Sequence, residues 1–99
     1  MDQNTELIQL RVKSETNVGN LAAAIKGFRN SNPQKKIIVR YIGAGAAQQA
    51  IKAVVIANRM LLDVRNEYCL ISPQFGDTED NSTIMLLELK FFPLNSTEK

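Results

Sequence analysis

Residues 36–54 read KIIVRYIGAGAAQQAIKAV, a β-branched run that passes through two glycines into a small-residue helical pattern. The first part has strand composition. From Ala46 to about Leu62, apolar residues recur at helical spacing, at Ala47, Ala50, Ile51, Val54, Ala57 and Leu61. A strand that feeds a helix through so short a turn leaves few options. The helix must fold back on its own sheet, which points to a layered α and β arrangement. Ala53, Val55 and Ile56 are apolar as well, so the apolar arc of this helix is wide. One sheet cannot cover such an arc, and in a chain of 99 residues a second subunit is the expected cover.

The flanking segments complete the pattern. Residues 7–13, LIQLRVK, alternate, with Ile8, Leu10 and Val12 on one side and Gln9, Arg11 and Lys13 on the other. Period two with one polar face describes a half-buried strand. SETN follows, rich in residues that cap helices. Val18, Leu21, Ala22, Ile25 and Phe28 then predict a helix of about three turns, with Lys26 and Arg29 near its C-terminus. Pro33 in NSNP ends it. Residues 67–72 predict a third strand, and PQFGDTEDNS a polar loop of about ten residues, long enough to be a candidate arm. Residues 83–92 predict a fourth strand with Met85, Leu87, Leu89 and Phe91 on one side, and the terminal LNSTEK is expected to fray. The order β-α-β-α-β-β implies an α+β fold, a two-layer sandwich. Its four-stranded mixed sheet carries both helices on one face. One domain over residues 1–99, with an ordered core of about 7–93, accounts for the whole chain.

Several function classes are excluded. The chain contains no histidine and a single cysteine, Cys69, so neither a Ser/His/Asp nor a Cys/His site can be assembled. The chain is read as a non-enzyme with no cofactor and no metal centre. Asp77, Glu79 and Asp80 would hold a hard cation only weakly and are better read as a solvated turn. The glycines do not make a dinucleotide fingerprint. Gln48 stands where the third small residue is needed, and Asp63 falls at a helix end. No lysine and hydroxyl residue follow as in a phosphate-binding Walker loop. No apolar run reaches the roughly 18 residues of a membrane span. The N-terminus lacks the pattern of a secretory signal. Lone Cys69 in EYCLIS fits a buried strand thiol in a reducing compartment, expected to be the cytoplasm.

Charge is distributed unevenly. Residues 11–65 hold ten basic side chains against Glu15 and Asp63, a net of +8, although the whole chain is only +2. A basic block beside an acidic tail points to a polyanionic partner; a solvated surface is the competing reading. Lys13 closes the first strand, and Arg11 and Arg40 fall on the polar sides of their strands. Gly43 and Gly45 leave amides at a positive helix end. Gln48 and Gln49 can hydrogen-bond phosphate, base or a subunit partner, and Lys52 lies close to the same turn. Tyr41 and Phe75 are too few for a stacking platform, so salt-sensitive backbone contact is the economical mechanism.

The stretch IGAGAAQQAIKAVVIANR and the upstream VKSETNVGNLAAAI resemble the stage V sporulation protein S family. More distantly, GAAQQAIKAV, NRMLLDV and NSTIMLLEL resemble the archaeal chromatin protein Alba. The resemblance covers roughly residues 7–92 and implies the same β-α-β-α-β-β fold. It further implies a small dimeric protein, open to higher-order stacking. Its partner would be DNA or RNA, bound mostly through the backbone and with low sequence specificity, in chromatin or developmental regulation. On the matching motifs Lys13, Gly43, Gly45, Gln49 and Lys52 are the carried-over contact residues. Ala46 and Ala50 stand where Alba has an arginine and a lysine, and the loop GDTED is acidic. Those departures favour the alternative of a protein-interaction or regulatory module that keeps the fold without strong nucleic-acid binding.

Overall fold

The structure is a computed structural model that describes residues 7–76 and 83–94. The expectations for the acidic loop and for the fraying termini fall outside these residues, save for Gly76 and Leu94. The elements run β1 (Leu7–Val12), α1 (Val18–Ser31), β2 (Lys36–Tyr41), α2 (Ala44–Arg65), β3 (Glu67–Phe75) and β4 (Met85–Pro93). The sheet order is β1-β2-β4-β3. β1 and β2 are parallel, as a strand–helix–strand unit requires, and β4 pairs antiparallel with both β2 and β3.

The alternation seen in the sequence decides which face is covered. Val12, Ile37, Val39, Cys69, Leu87 and Leu89 are buried, while Arg11, Arg40 and Lys90 occupy alternate positions on the other face. α1 contributes Leu21, Ala22 and Ile25 to the core, and α2 contributes Ala46, Ala50, Ala53, Val54, Ala57 and Leu61. The alanines on α2 let its axis lie close to the sheet and to α1. The bulk between the layers comes from Ile25, Ile37, Val39 and Leu61, the largest fully buried side chains. Each is worth about 1.5–3 kcal/mol through burial.

Several boundaries differ from the sequence reading. α2 starts at Ala44 rather than Ala46 and continues to Arg65, and α1 gains a further turn. Gly43 takes the N-cap position with φ 93° and ψ 160°, a conformation essentially reserved for glycine. Gly45 therefore belongs to the helix, not to the loop. β3 does not stop at Ser72 but continues through Pro73, Gln74 and Phe75, paired with Leu87, Leu86 and Met85. Proline is tolerated there because β3 is an edge strand. Ile51, expected on the core side of α2, is exposed with Val55 and Leu62, and Ala53 takes the core position. The wide apolar arc is thus real. Its outer part lies bare on this chain.

At the N-terminal end of β3 the helices end together. Arg29 of α1 grips Glu67 with two hydrogen bonds, 2.9 Å from Nε to Oε1 and 2.7 Å from the terminal nitrogen to Oε2. Arg65 of α2 adds a third at 3.1 Å. The Arg29 guanidinium also lies 4.7 Å from the centre of the Phe91 ring and donates to the Pro33 carbonyl at 2.6 Å. These Arg29 hydrogen bonds hold the Glu67 carboxyl below the usual carboxylate range, and the same carboxylate raises the Arg29 pKa.

Candidate nucleic-acid interface

The opposite end of the sheet, where β1 and β2 finish, is built differently. Val12 pairs with Tyr41 and Arg11 with Arg40, so the two arginines sit on neighbouring strands about 5 Å apart at their Cα atoms. Like charges placed directly opposite one another oppose folding. Among the described residues no carboxylate lies within ion-pair distance of Arg11, Arg40 or Lys13. Pairing among the described residues therefore does not account for this charge.

The chain leaving β1 is closed into a turn by two hydrogen bonds and held against the start of α2 by a third. Lys13 N–H donates to the Thr16 hydroxyl at 2.8 Å and Thr16 N–H returns a bond to the Lys13 carbonyl at 3.1 Å, closing a tight turn. Gln49 on α2 donates from its side-chain amide to the Thr16 carbonyl at 2.8 Å. Gly45 lets the turn approach, because a Cβ at that position would stand 2.9 Å from the Ser14 Cβ. The turn ends at Asn17, whose side chain caps α1 by accepting from Asn20 N–H at 2.8 Å. Lys13 is thus an exposed cation on a fixed backbone.

These pieces enclose a cleft of about 580 Å³. Arg11, Lys13, Ser14, Glu15, Arg40, Tyr41, Gly43, Gly45 and Ala46 are among its lining residues. The helix start supplies unpaired amides as well as charge. Ala47 N–H makes the first helical bond, to the Gly43 carbonyl at 3.0 Å, and α2 has no acidic residue in its first turn. One acid does face the cleft. Glu15 accepts from the Ser14 hydroxyl at 2.9 Å, which with its own backbone amide keeps its carboxyl below the usual range.

Five of the eight candidate residues, Arg11, Lys13, Arg40, Gly43 and Gly45, line this one cleft. Gln49 is half-buried and serves as the brace between turn and helix rather than as a free contact. Gln48 and Lys52 are exposed on α2 outside the cleft lining. The sequence reading missed Ser14, Glu15 and Thr16, taking SETN only as a helix cap. The polar residues ahead of Asn17 were the available signal. Cys69 takes no part: it is buried, its N–H is held by Asn58 at 2.9 Å, and burial pushes its thiol up to about 11.

With this geometry in place, the chain can be compared with known proteins. Residues 8–87 match the family described as Stage V sporulation protein S (SpoVS). The chain belongs to the SpoVS family. The match spans β1 to the middle of β4 and so includes the whole cleft. No curated protein sequence matches. Among solved structures, Alba from Thermoplasma volcanium superposes with a TM-score of 0.52 at 17% identity, covering 85% of this chain and 98% of that one. At that identity the likeness establishes the fold of this SpoVS protein, an Alba-like α+β sandwich. Among the described residues no helix is long and apolar enough to cross a membrane.

Proposed function

We propose that this SpoVS-family chain is a nucleic-acid-binding module, DNA or RNA being held at the β1–β2 end through phosphate contacts with low sequence specificity. The observation that carries the reading is the convergence of Arg11, Lys13 and Arg40 on one cleft, without carboxylate partners among the described residues, beside the open start of α2. Such a site neutralises phosphates by charge and donates N–H groups to their oxygens. Lys52, exposed one to two turns further along α2, extends the positive edge.

The functional unit in this proposal is a homodimer. Ile51, Val55 and Leu62 are spaced along one side of α2 and are 41%, 57% and 38% exposed. A second copy covers them, and two clefts on one dimer would grip a polymer at two points. A Val55→Asp variant would then sediment as a monomer of about half the parent's mass; a parent that is already monomeric at micromolar concentration contradicts the dimer.

The decisive experiment is binding of labelled duplex and single strands at low salt. Lys13→Glu combined with Arg40→Glu is expected to abolish binding with the fold intact. Unchanged affinity in that variant would overturn the reading. The alternative, a protein-interaction module, draws support from Glu15 in the cleft and from the apolar side of α2. An absence of nucleic-acid binding by the parent at low salt would favour it.

A further inference from the structure

Both helices pack on one face of the sheet, and the opposite face carries rings as well as charge. Cys69, Leu87 and Leu89 point into the core, so Tyr68, Glu88, Lys90 and Phe92 project from the other side, the side that also carries Arg11 and Arg40. The register sets Tyr68 opposite Phe92, and the two ring centroids lie 5.7 Å apart with the planes tilted by 32°. Phe92 is still 39% exposed, so Tyr68 braces the ring without covering it. Lys90 is exposed two residues before Phe92 on the same strand, about 7 Å away. Glu88, the acid of this face among the described residues, is already held by Lys36 at 3.7 Å and by the Gln74 amide at 3.2 Å. Among the described residues no carboxylate lies within ion-pair distance of Lys90. Arg40 pairs with Leu86 and Arg11 with Arg40, which sets these cations about 20 Å from Phe92 along the same face.

An exposed ring beside an unpaired cation, with two further cations on the same surface, matches a polymer that alternates a flat apolar group with a phosphate. We propose that this open face is a track for single-stranded nucleic acid: Phe92 stacks on a base, Lys90 meets the adjacent phosphate, and Arg11 and Arg40 hold the same strand several nucleotides away. The proposal rests on the nucleic-acid reading of the cleft and adds a preference to it. A duplex keeps its base faces within the stack, so it can engage the cations but not the ring. A second copy of this chain would bring the same cations against themselves, so charge complementarity favours the polyanion as occupant.

The test uses a short labelled single strand and the matching duplex. Phe92→Leu removes the ring but keeps an apolar side chain against Tyr68. It is expected to weaken single-strand binding roughly tenfold, the order of one stacked base, and to leave duplex affinity nearly unchanged. Lys90→Gln should lower the slope of log single-strand affinity against log salt by about 0.7, one phosphate contact. Phe92→Trp should retain affinity and lose fluorescence as the strand binds, since a stacked indole is quenched. Thermal melting checks that each variant is folded, and should Phe92→Leu not fold, the tryptophan signal and the Lys90 slope decide alone. Single-strand affinity close to the parent's in folded Phe92→Leu overturns the proposal and leaves the phosphate cleft standing, as does an equal loss on the duplex. An unquenched tryptophan in a protein that still binds overturns it too, and so does an unchanged slope in Lys90→Gln. A Phe92→Leu variant that changes sedimentation instead of affinity assigns the ring to a subunit contact and likewise overturns it. Failure of the parent to bind any nucleic acid is a different result, because it removes the functional reading beneath.

Discussion

The two ends of the sheet carry similar charge and use it in opposite ways. At one end Arg29 and Arg65 converge on Glu67, with side chains only 16%, 30% and 11% exposed. At the other end Arg11, Lys13 and Arg40 converge on an open cleft whose one acid among the described residues, Glu15, is bound to Ser14. The first cluster fastens α1, α2 and β3 together. The second adds repulsion between neighbouring strands and, among the described residues, closes no ion pair. Arginines that close a network belong to the fold, and arginines left facing one another are available to a ligand.

This contrast can be broken by mutation. The largest stability effect is expected from Glu67→Ala, which leaves two partly buried guanidinium groups without their carboxylate. Unfolding by urea should register a loss of roughly 3 kcal/mol, with nucleic-acid affinity of the remaining folded protein unchanged. A loss below about 0.5 kcal/mol would place this network among ordinary surface ion pairs. The same carboxylate predicts a pH dependence. Its pKa is lowered by folding from an ordinary value of 4.5, so its contribution is complete above that value and lost as pH falls through the folded pKa. Thermal stability should drop in acid for the parent, and the drop should be shallower in Glu67→Gln.

At the cleft end, Gly43→Ala is expected to cost about 1–3 kcal/mol, because a side chain is strained at that φ and ψ. A melting temperature equal to the parent's would refute the turn geometry. Charge removal at Arg11 or Arg40 should move stability by less than about 0.5 kcal/mol in either direction while lowering affinity. That is the reverse of the Glu67 pattern. The smallest effect concerns Cys69, whose thiol is buried and held near 11. Thiol reagents at neutral pH should label it only after denaturant is added. Rapid labelling of the folded protein would show that β3 opens.

Much of this contrast was legible in the sequence. Alternation in LIQLRVK placed Arg11 on the open face, and the β-branched run in KIIVRYI did the same for Arg40. The element order followed from periodicity alone. What stayed hidden depends on contacts between distant segments. Gly45 is needed because Ser14 passes over it, a reason that no local pattern contains. Gln49 looked like a free hydrogen-bonding group, but its amide is spent on the Thr16 carbonyl. Pro73 read as the end of a strand, which is the usual meaning of proline, and only the edge position of β3 reverses it. That misreading placed Phe75 in a loop, when it is mounted on the β3–β4 ladder. Arg29 was legible only as a cation near the end of a helix, whereas Glu67 is its principal partner.

The central claim is that the cations of the cleft exist to meet phosphate. It is tested most directly by measuring affinity for one labelled strand across a range of salt, for the parent and for an Arg11→Gln, Lys13→Gln, Arg40→Gln variant. Each phosphate contact contributes about 0.9 to the slope of log affinity against log salt on duplex and about 0.7 on single strands. The account predicts that the variant's slope is smaller than the parent's by about 2 to 3. Equal slopes for a variant that is still folded would show that the phosphates are bound elsewhere and would contradict the account.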